Sequence, residues 1–241
     1  MPPPNASTKT QDQGRGVYLK LGGVQILLNG PLSLIALLIL LAIIAGILYL
    51  MFTRSGPGEW ASAGLWIAFI LYWSAAAKNA AATSSSESLS SRQTHQLLMY
   101  GALLIAILPV PGLMRRWLPL SPWIHVPIGL TIQMTAGFLA IWARKHLGRN
   151  WSGAITKKVD HQLVRTGPYK LLRHPIYSGM LGMFLGTAVV SGALHGLLGL
   201  LIMSFAYWRK IRLEEQSLRE AFGAEYDDYR QKSWALIPGL F

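Results

Sequence analysis

Long uncharged stretches alternate with short basic ones along this chain, and the lengths of the stretches set the first expectations. No charged residue lies between Lys20 and Arg54, and Pro31 to Phe52 is long enough for the roughly 20 apolar residues that cross a ~30 Å hydrocarbon core. Further apolar runs cover Trp60 to Ala77, Leu97 to Leu108 and Pro122 to Ala143, so the pattern predicts four membrane-spanning helices. Pro109 and Pro111 close the third and shortest. From His174 to Trp208 there are 35 residues without Lys, Arg, Asp or Glu; as one helix these would reach about 52 Å, well past the bilayer core. Ser191, Gly192, His195 and Gly196 mark a bend, which predicts a helical hairpin of Ile176 to Val190 and Leu197 to Trp208. Gly182 and Gly186 are four residues apart, as are Gly192 and Gly196, a spacing that lets helix backbones approach in lipid. Arg209 to Lys232 then carries six basic and six acidic residues and reads as a cytoplasmic helix, with Gly223 as its stop and a short turn through Tyr226 and Tyr229.

The expected fold is therefore all-α: a polytopic integral membrane helical bundle with four spans, a C-terminal helical hairpin and a cytoplasmic C-terminal helix. It divides into a polar and interfacial segment (1–30), the four spans (31–143), and a loop, hairpin and terminal helix (144–241). A short interfacial helix is expected over Val17 to Leu28, and the Ser-rich stretch Thr83 to Ser91 reads as a solvated linker. The polar, Gly-rich first 30 residues predict no cleaved signal peptide. Trp60, Trp66, Trp73, Trp117 and Trp123 fall at or near span ends, where aromatic side chains fix depth in a bilayer.

Composition sharpens this picture. With 52% hydrophobic and 13% charged residues, the 241-residue chain has too few charges for the surface of an ordinary soluble domain. Its net charge of +12 would suggest nucleic acid, but position argues otherwise. Arg144, Lys145, Arg149, Lys157, Lys158, Arg165, Lys170 and Arg173 form one block, against the single acid Asp160. That block fits a cytoplasmic segment beside anionic headgroups, on the same face as Lys9, Arg15, Lys20, Lys78 and Arg92. Arg115 and Arg116 fall on the other face. The absence of cysteine excludes disulfides, thiolate metal sites and thiol nucleophiles. No G-x-G-x-x-G or G-x-x-x-x-G-K-[ST] run is present, and the six histidines show no H-x-x-x-H or H-E-x-x-H pairing, so the sequence indicates neither a Rossmann, P-loop nor metal site.

Two polar clusters remain. The first is His161-Gln162-Leu163-Val164-Arg165-Thr166-Gly167-Pro168-Tyr169, followed by Arg173-His174-Pro175-Ile176-Tyr177. Pro175 suits a helix start, which puts His174 and Tyr177 at a helix mouth where amide N–H groups and the positive helix end favour a carboxylate or phosphate. The second is Arg209, Lys210, Arg212, Glu214 and Glu215. On a helix, Arg212, Glu215 and Arg219 are spaced for a solvated ion-pair ladder. His125 and His195, alone within apolar spans, read as hydrogen-bonded structural residues.

Together the clusters resemble a known pattern. The run Gly167-Pro168-Tyr169-Lys170-Leu171-Leu172-Arg173-His174-Pro175-Ile176-Tyr177-Ser178-Gly179, an apolar hairpin, Glu214-Glu215-x-x-Leu218-x-x-x-Phe222-Gly223-x-Glu225-Tyr226-x-x-Tyr229 and Ile237-Pro238-Gly239 resembles the isoprenylcysteine carboxyl methyltransferase family, with its related phospholipid methyltransferases. The resemblance covers Leu147 to the C-terminus and implies a multi-pass membrane enzyme using S-adenosylmethionine. It implies that His161, Gln162, Leu163, Val164, Tyr169, His174, Pro175, Ile176 and Tyr177 wrap this cofactor, with Glu214 reaching it from the last helix. Methyl transfer from a sulfonium needs alignment more than acid catalysis. A carboxylate acceptor would need a cation, for which Arg209 and Arg212 are the candidates with Arg144 behind them; an amine acceptor would need a base, such as Glu215. Where the family carries an arginine in the span before the cofactor loop, this chain has Ala140 or Ile141, which leaves the acceptor open.

The expected activity is carboxyl O-methylation of an amphipathic, isoprenylcysteine-like substrate drawn from the bilayer, with an active site facing the cytoplasm of a bacterial inner membrane or the endoplasmic reticulum. Membrane lipids are the other expected partners; no nucleic acid and no metal are expected. The alternatives are N-methylation of a phosphatidylethanolamine-type lipid, a non-catalytic membrane scaffold or transporter, and an NADPH-dependent membrane reductase.

Overall fold

The computed structural model describes residues 18–21, 24–27, 45–46, 49, 51–77, 84–85, 88–148, 151, 156–157 and 163–239. The chain divides into two compact units, Met1–Tyr49 and Leu50–Phe241. In the first, β1 (Tyr18–Leu21) pairs antiparallel with β2 (Val24–Leu27), Tyr18 opposite Leu27. This pairing replaces the helix expected over Val17 to Leu28. The two residues between the strands in sequence are glycines, which favour a two-residue hairpin connection over a helix interior. The expected span Pro31 to Phe52 lies almost wholly outside the described residues.

The second unit is helical: α1 (Pro57–Ala77), α2 (Leu89–Ile107), α3 (Pro122–Leu147), α4 (Pro175–Ser191), α5 (Leu194–Phe222) and α6 (Ala224–Gln231). A 3₁₀ turn spans Gly167–Lys170, and the two-residue strands β3 (Ser84–Ser85) and β4 (Thr156–Lys157) pair antiparallel. Local chemistry sets most of the ends. Glu59 accepts from the Gly56 amide at 3.0 Å, half of a capping box in front of Pro57. The Ser88 hydroxyl accepts from the Ser91 amide at 3.2 Å, so α2 starts at Leu89, eight residues before the expected span. The Ser-rich stretch is thus a helix cap and half of a strand pair rather than only a linker. Gly192 (φ 58°) stops α4 and Gly223 (φ 52°) stops α5, a backbone conformation that glycine adopts without a Cβ penalty. Because nothing interrupts the sequence between Leu194 and Phe222, the last apolar run and the charged helix after it form one continuous helix of 29 residues.

Among the described residues, α3 alone is long and apolar enough to cross a membrane by itself, while α4 is a shorter apolar helix. These two pack with their backbones almost touching. A Cβ on Gly179 would lie 2.6 Å from the Ala136 carbonyl oxygen, and one on Gly186 would lie 2.6 Å from that of Gly129. Nearby, Thr187 accepts from Trp66 Nε1 at 2.9 Å, and Gln133 accepts from Ser62 Oγ at 2.8 Å while donating to the Ser62 carbonyl at 3.0 Å. This satisfied polar network ties α1, α3 and α4 together, as buried polar atoms in an apolar bundle require. Trp66, Phe69, Met183, Phe184, Met203 and Tyr207 build the core around it. At the Gly192 end, His125 Nδ1 lies 2.9 Å from the Val189 carbonyl oxygen and its Nε2 lies 2.6 Å from Arg116, while His195 Nδ1 lies 3.2 Å from that of Ile105.

The α3–α4 contact yields a direct expectation. Gly186→Ala puts a methyl group into the Gly129 carbonyl and should destabilise the bundle by about 1–3 kcal/mol, the usual cost of overpacking. Gly64→Ala, whose Cβ meets nothing within 4 Å, is the control. Thermal unfolding in detergent should show a lowered midpoint for the first variant only.

Candidate active site

At the other end of α4 the chain narrows onto a small set of charged groups. The 3₁₀ turn leads through Leu171 and Leu172 to Arg173 and His174, and Pro175 then starts the helix. A returning segment holds this stretch by its backbone. Arg173 N donates to the Trp234 carbonyl at 2.8 Å, His174 N to Ala235 at 3.1 Å, and Trp234 N to Leu171 at 3.1 Å, a short parallel bridge. The buried hydroxyl of Tyr229 adds a bond to the Tyr169 carbonyl at 2.6 Å, which fixes the 3₁₀ turn against α6. Burial pushes that phenol up to about 12, so it remains a donor at any ordinary pH.

α5 supplies the acids. Tyr177 Oη donates to Glu214 Oε1 at 2.6 Å, and Glu214 Oε2 lies 3.6 Å from His174 Nδ1. Glu215 Oε1 accepts from Arg173 Nε at 2.8 Å and lies 3.3 Å from His174 Nε2, with Arg230 Nε 3.8 Å from its other oxygen. The rings stack in sequence: His174 lies parallel to Tyr177 at 5.6 Å, and Tyr177 to Tyr207 at 4.4 Å. Burial acts to raise the Glu215 carboxyl, but hydrogen bonds from His174 and Arg173 and their positive charge outweigh it and hold the group at about 2. A carboxyl so acidic is a weak base.

The remaining candidates separate cleanly. His161 and Gln162 lie outside the described residues. Leu163 and Val164 are half-buried in irregular chain, Val164 against the cluster of Ala143, Tyr169 and Ile176. Tyr169, His174, Pro175 and Ile176 are buried. Arg209 and Arg212 do not join the cluster: Arg209 donates to Ser91 Oγ at 2.8 Å, and the Arg212 guanidinium sits 4.9 Å over the Trp208 ring. Helix geometry is the reason, since a residue two positions before Glu214 projects about 160° away around a 3.6-residue turn. The ladder of Arg212, Glu215 and Arg219 does not form either, because Glu215 turns to Arg173 and Arg219 bonds Asp227 at 3.0 Å. Arg144 is also committed. It donates to the Ala76 and Gly148 carbonyls at 2.8 Å and 3.0 Å and lies 4.0 Å from the Trp151 ring, joining the C-terminal ends of α1 and α3. Sequence reasoning passed over Arg173, Tyr207 and the segment Ser233–Leu236. Arg173 stood inside the motif, but nothing in the spacing shows that its partner lies 42 residues away.

With this geometry in place, similarity to known proteins has a location. The phospholipid methyltransferase family model matches residues 124–225. A protein-S-isoprenylcysteine O-methyltransferase of Saccharomyces cerevisiae is 41% identical over 86 residues, 34% of this chain and 35% of that protein. Protein-S-isoprenylcysteine O-methyltransferase B of Arabidopsis thaliana is 31% identical over 134 residues, 53% of this chain and 64% of that protein. Over its matched region, the chain is similar to the phospholipid methyltransferases and to isoprenylcysteine O-methyltransferases. It spans less than two thirds of the length of either relative. A solved structure of a eukaryotic intramembrane Ras methyltransferase, an isoprenylcysteine carboxyl methyltransferase, superposes with a TM-score of 0.47 at 25% identity, covering 63% of this chain and 50% of that one. The matched region holds α3, the 3₁₀ turn, α4 and α5, and thereby His174, Tyr177, Glu214 and Glu215.

The Glu215 carboxyl is depressed in the folded state, so its contribution to stability is present above the unfolded value of about 4.5 and is lost as pH falls toward about 2. Glu215→Gln should therefore be destabilising at neutral pH, and its deficit relative to wild type should shrink between pH 5 and pH 2. Paired unfolding curves across that window in detergent measure the effect; a constant gap would contradict the assignment.

Proposed function

We propose that this chain is an S-adenosylmethionine-dependent methyltransferase of a membrane. The observation that carries the reading is the convergence of His174, Tyr177 and Glu214 at the start of α4, within the region matched by methyltransferases. The donor set suits such a cofactor. No side chain caps α4, whose first-turn amides and positive end favour a carboxylate. Glu214, held by Tyr177, is an acceptor for hydroxyl or ammonium groups. When bound, S-adenosylmethionine supplies an electrophilic methyl group. The chain's own residues bind and align it, and Tyr177 keeps Glu214 oriented by its 2.6 Å bond.

The acceptor in this reading is an amphipathic carboxylate of the isoprenylcysteine type, which is the substrate class in the names of the yeast and Arabidopsis relatives. A carboxylate is already nucleophilic at neutral pH and needs no base. Amine methylation of a phospholipid headgroup, suggested by the family model's description, would require a group to take a proton, and Glu215, held at about 2, is unsuited to it. Membrane residence is supported by the apolar α3 and by the outward-facing Trp123, Phe138, Leu201 and Phe205. The basic block that precedes α4 in sequence supports an active site on the cytoplasmic face.

Isothermal titration of the detergent-solubilised chain with S-adenosylhomocysteine tests the cofactor. Binding is expected, with Glu214→Ala and His174→Ala each raising Kd by about tenfold or more. Absence of binding to the wild-type chain would overturn the reading. With tritiated methyl donor and a farnesylcysteine acceptor, base-labile label is expected; base-stable label in a lipid extract would assign an amine acceptor instead.

A further inference from the structure

Adjacent glutamates on a helix point about 100° apart, so Glu214 and Glu215 cannot serve the same face of one ligand. Their partners differ accordingly. Glu214 meets Tyr177 Oη and His174 Nδ1, whereas Glu215 meets Arg173 and the opposite nitrogen of the same imidazole, His174 Nε2. One carboxylate thus stands at each ring nitrogen, and this sets the plane that lies parallel to Tyr177.

Arg173 has a second set of contacts. Its Nη1 donates to the Arg230 carbonyl at 3.2 Å and to the Ser233 carbonyl, and its backbone amide donates to Trp234. Its side chain is only 8% exposed, so the guanidinium needs these acceptors. The segment it grips is further held by Ser178 Oγ donating to the Leu236 carbonyl at 2.6 Å and by Ser233 Oγ donating to Tyr229 at 2.6 Å, and Ala235 is fully buried. Arg173 is therefore the one side chain among the described residues that joins Glu215, α6 and the C-terminal segment.

We infer that Arg173 and Glu215 are positioning residues: Arg173 locks the segment Ser233–Leu236 onto the start of α4 and fixes Glu215, and Glu215 orients the His174 imidazole toward Glu214. The lock touches no ligand and acts through His174. The functional part of this inference rests on the methyltransferase reading, since the oriented imidazole is there a cofactor contact; the structural part does not.

The test uses the full chain in detergent, with Glu215→Gln, Arg173→Gln, Arg173→Lys and a truncation after Lys232, each alone and in the His174→Ala background. Glu215→Gln and Arg173→Gln are each expected to raise the Kd for S-adenosylhomocysteine, and the KM for the methyl donor, about five- to tenfold, with kcat at saturating donor within about threefold. Arg173→Lys keeps the charge without the fork and should recover only part of the loss. In the His174→Ala background Glu215→Gln should cost no further affinity, because the path through the imidazole is already cut. Additive losses in the two backgrounds would mean that Glu215 touches the ligand itself and would overturn the inference.

Hydrogen exchange of the ligand-free chain separates this outcome from failure of the functional reading. Arg173→Gln and the truncation should each speed exchange of the Arg173 and His174 amides by about tenfold or more, whether or not the wild type binds S-adenosylhomocysteine. Unchanged protection in Arg173→Gln would overturn the lock. Should Glu215→Gln fail to fold, Arg173→Lys carries the same comparison.

Discussion

Glu215 has lost most of its contact with water, and an ionised carboxylate in that position persists only among donors that replace the lost hydration. Arg173, His174 and Arg230 are those donors, and each brings a different part of the chain with it. Arg173 brings the bend before α4 and the segment around Trp234; His174 brings the first turn of α4; Arg230 brings α6. One buried charge on α5 therefore gathers the elements that surround Glu214, and the mutual arrangement of Tyr177, His174 and Glu214 depends on it.

That gathering needs a rigid frame. α3 and α4 approach until only hydrogen atoms fit at Gly129, Gly179 and Gly186, so α4 has little freedom to slide, and its first residues are held at a fixed height relative to the end of α3. α5 doubles back from Gly192 and stacks Tyr207 on Tyr177, which carries the helix's charged extension to the start of α4. Because α5 continues without a break through Phe222, the stiffness of the apolar part is transmitted to Glu214 and Glu215. Arg144, stacked on Trp151 and bonded to two helix-terminal carbonyls, closes the neighbouring corner.

The arginines show how one-dimensional reasoning about charge goes astray. Arg209 and Arg212 stand within five residues of Glu214 in sequence, and proximity suggested a shared task. The helix turns them to other faces, one onto Ser91 and the other onto Trp208, where the guanidinium lies over an exposed aromatic ring. The arginine that does join the acids comes from the other motif. Two short runs that looked like separate anion-binding and ion-pairing features are halves of one network, joined only when α4 and α5 pack against each other.

Hydropathy, proline and glycine fixed the helices of the C-terminal half, because their ends are local matters: Pro175 can start a helix wherever it stands, and Gly192 and Gly223 can stop one with a positive φ. The motif residues that meet at the start of α4 were likewise visible as residues. Their pairing was not, since which carboxylate faces which nitrogen depends on the rotation of α5 about its own axis, and that rotation is chosen by Tyr207, Met203 and Ile211 filling the core. The role of Ser233–Leu236 was equally invisible, because backbone carbonyls carry no sequence signature and become acceptors for Arg173 and His174 only after the chain has returned to them.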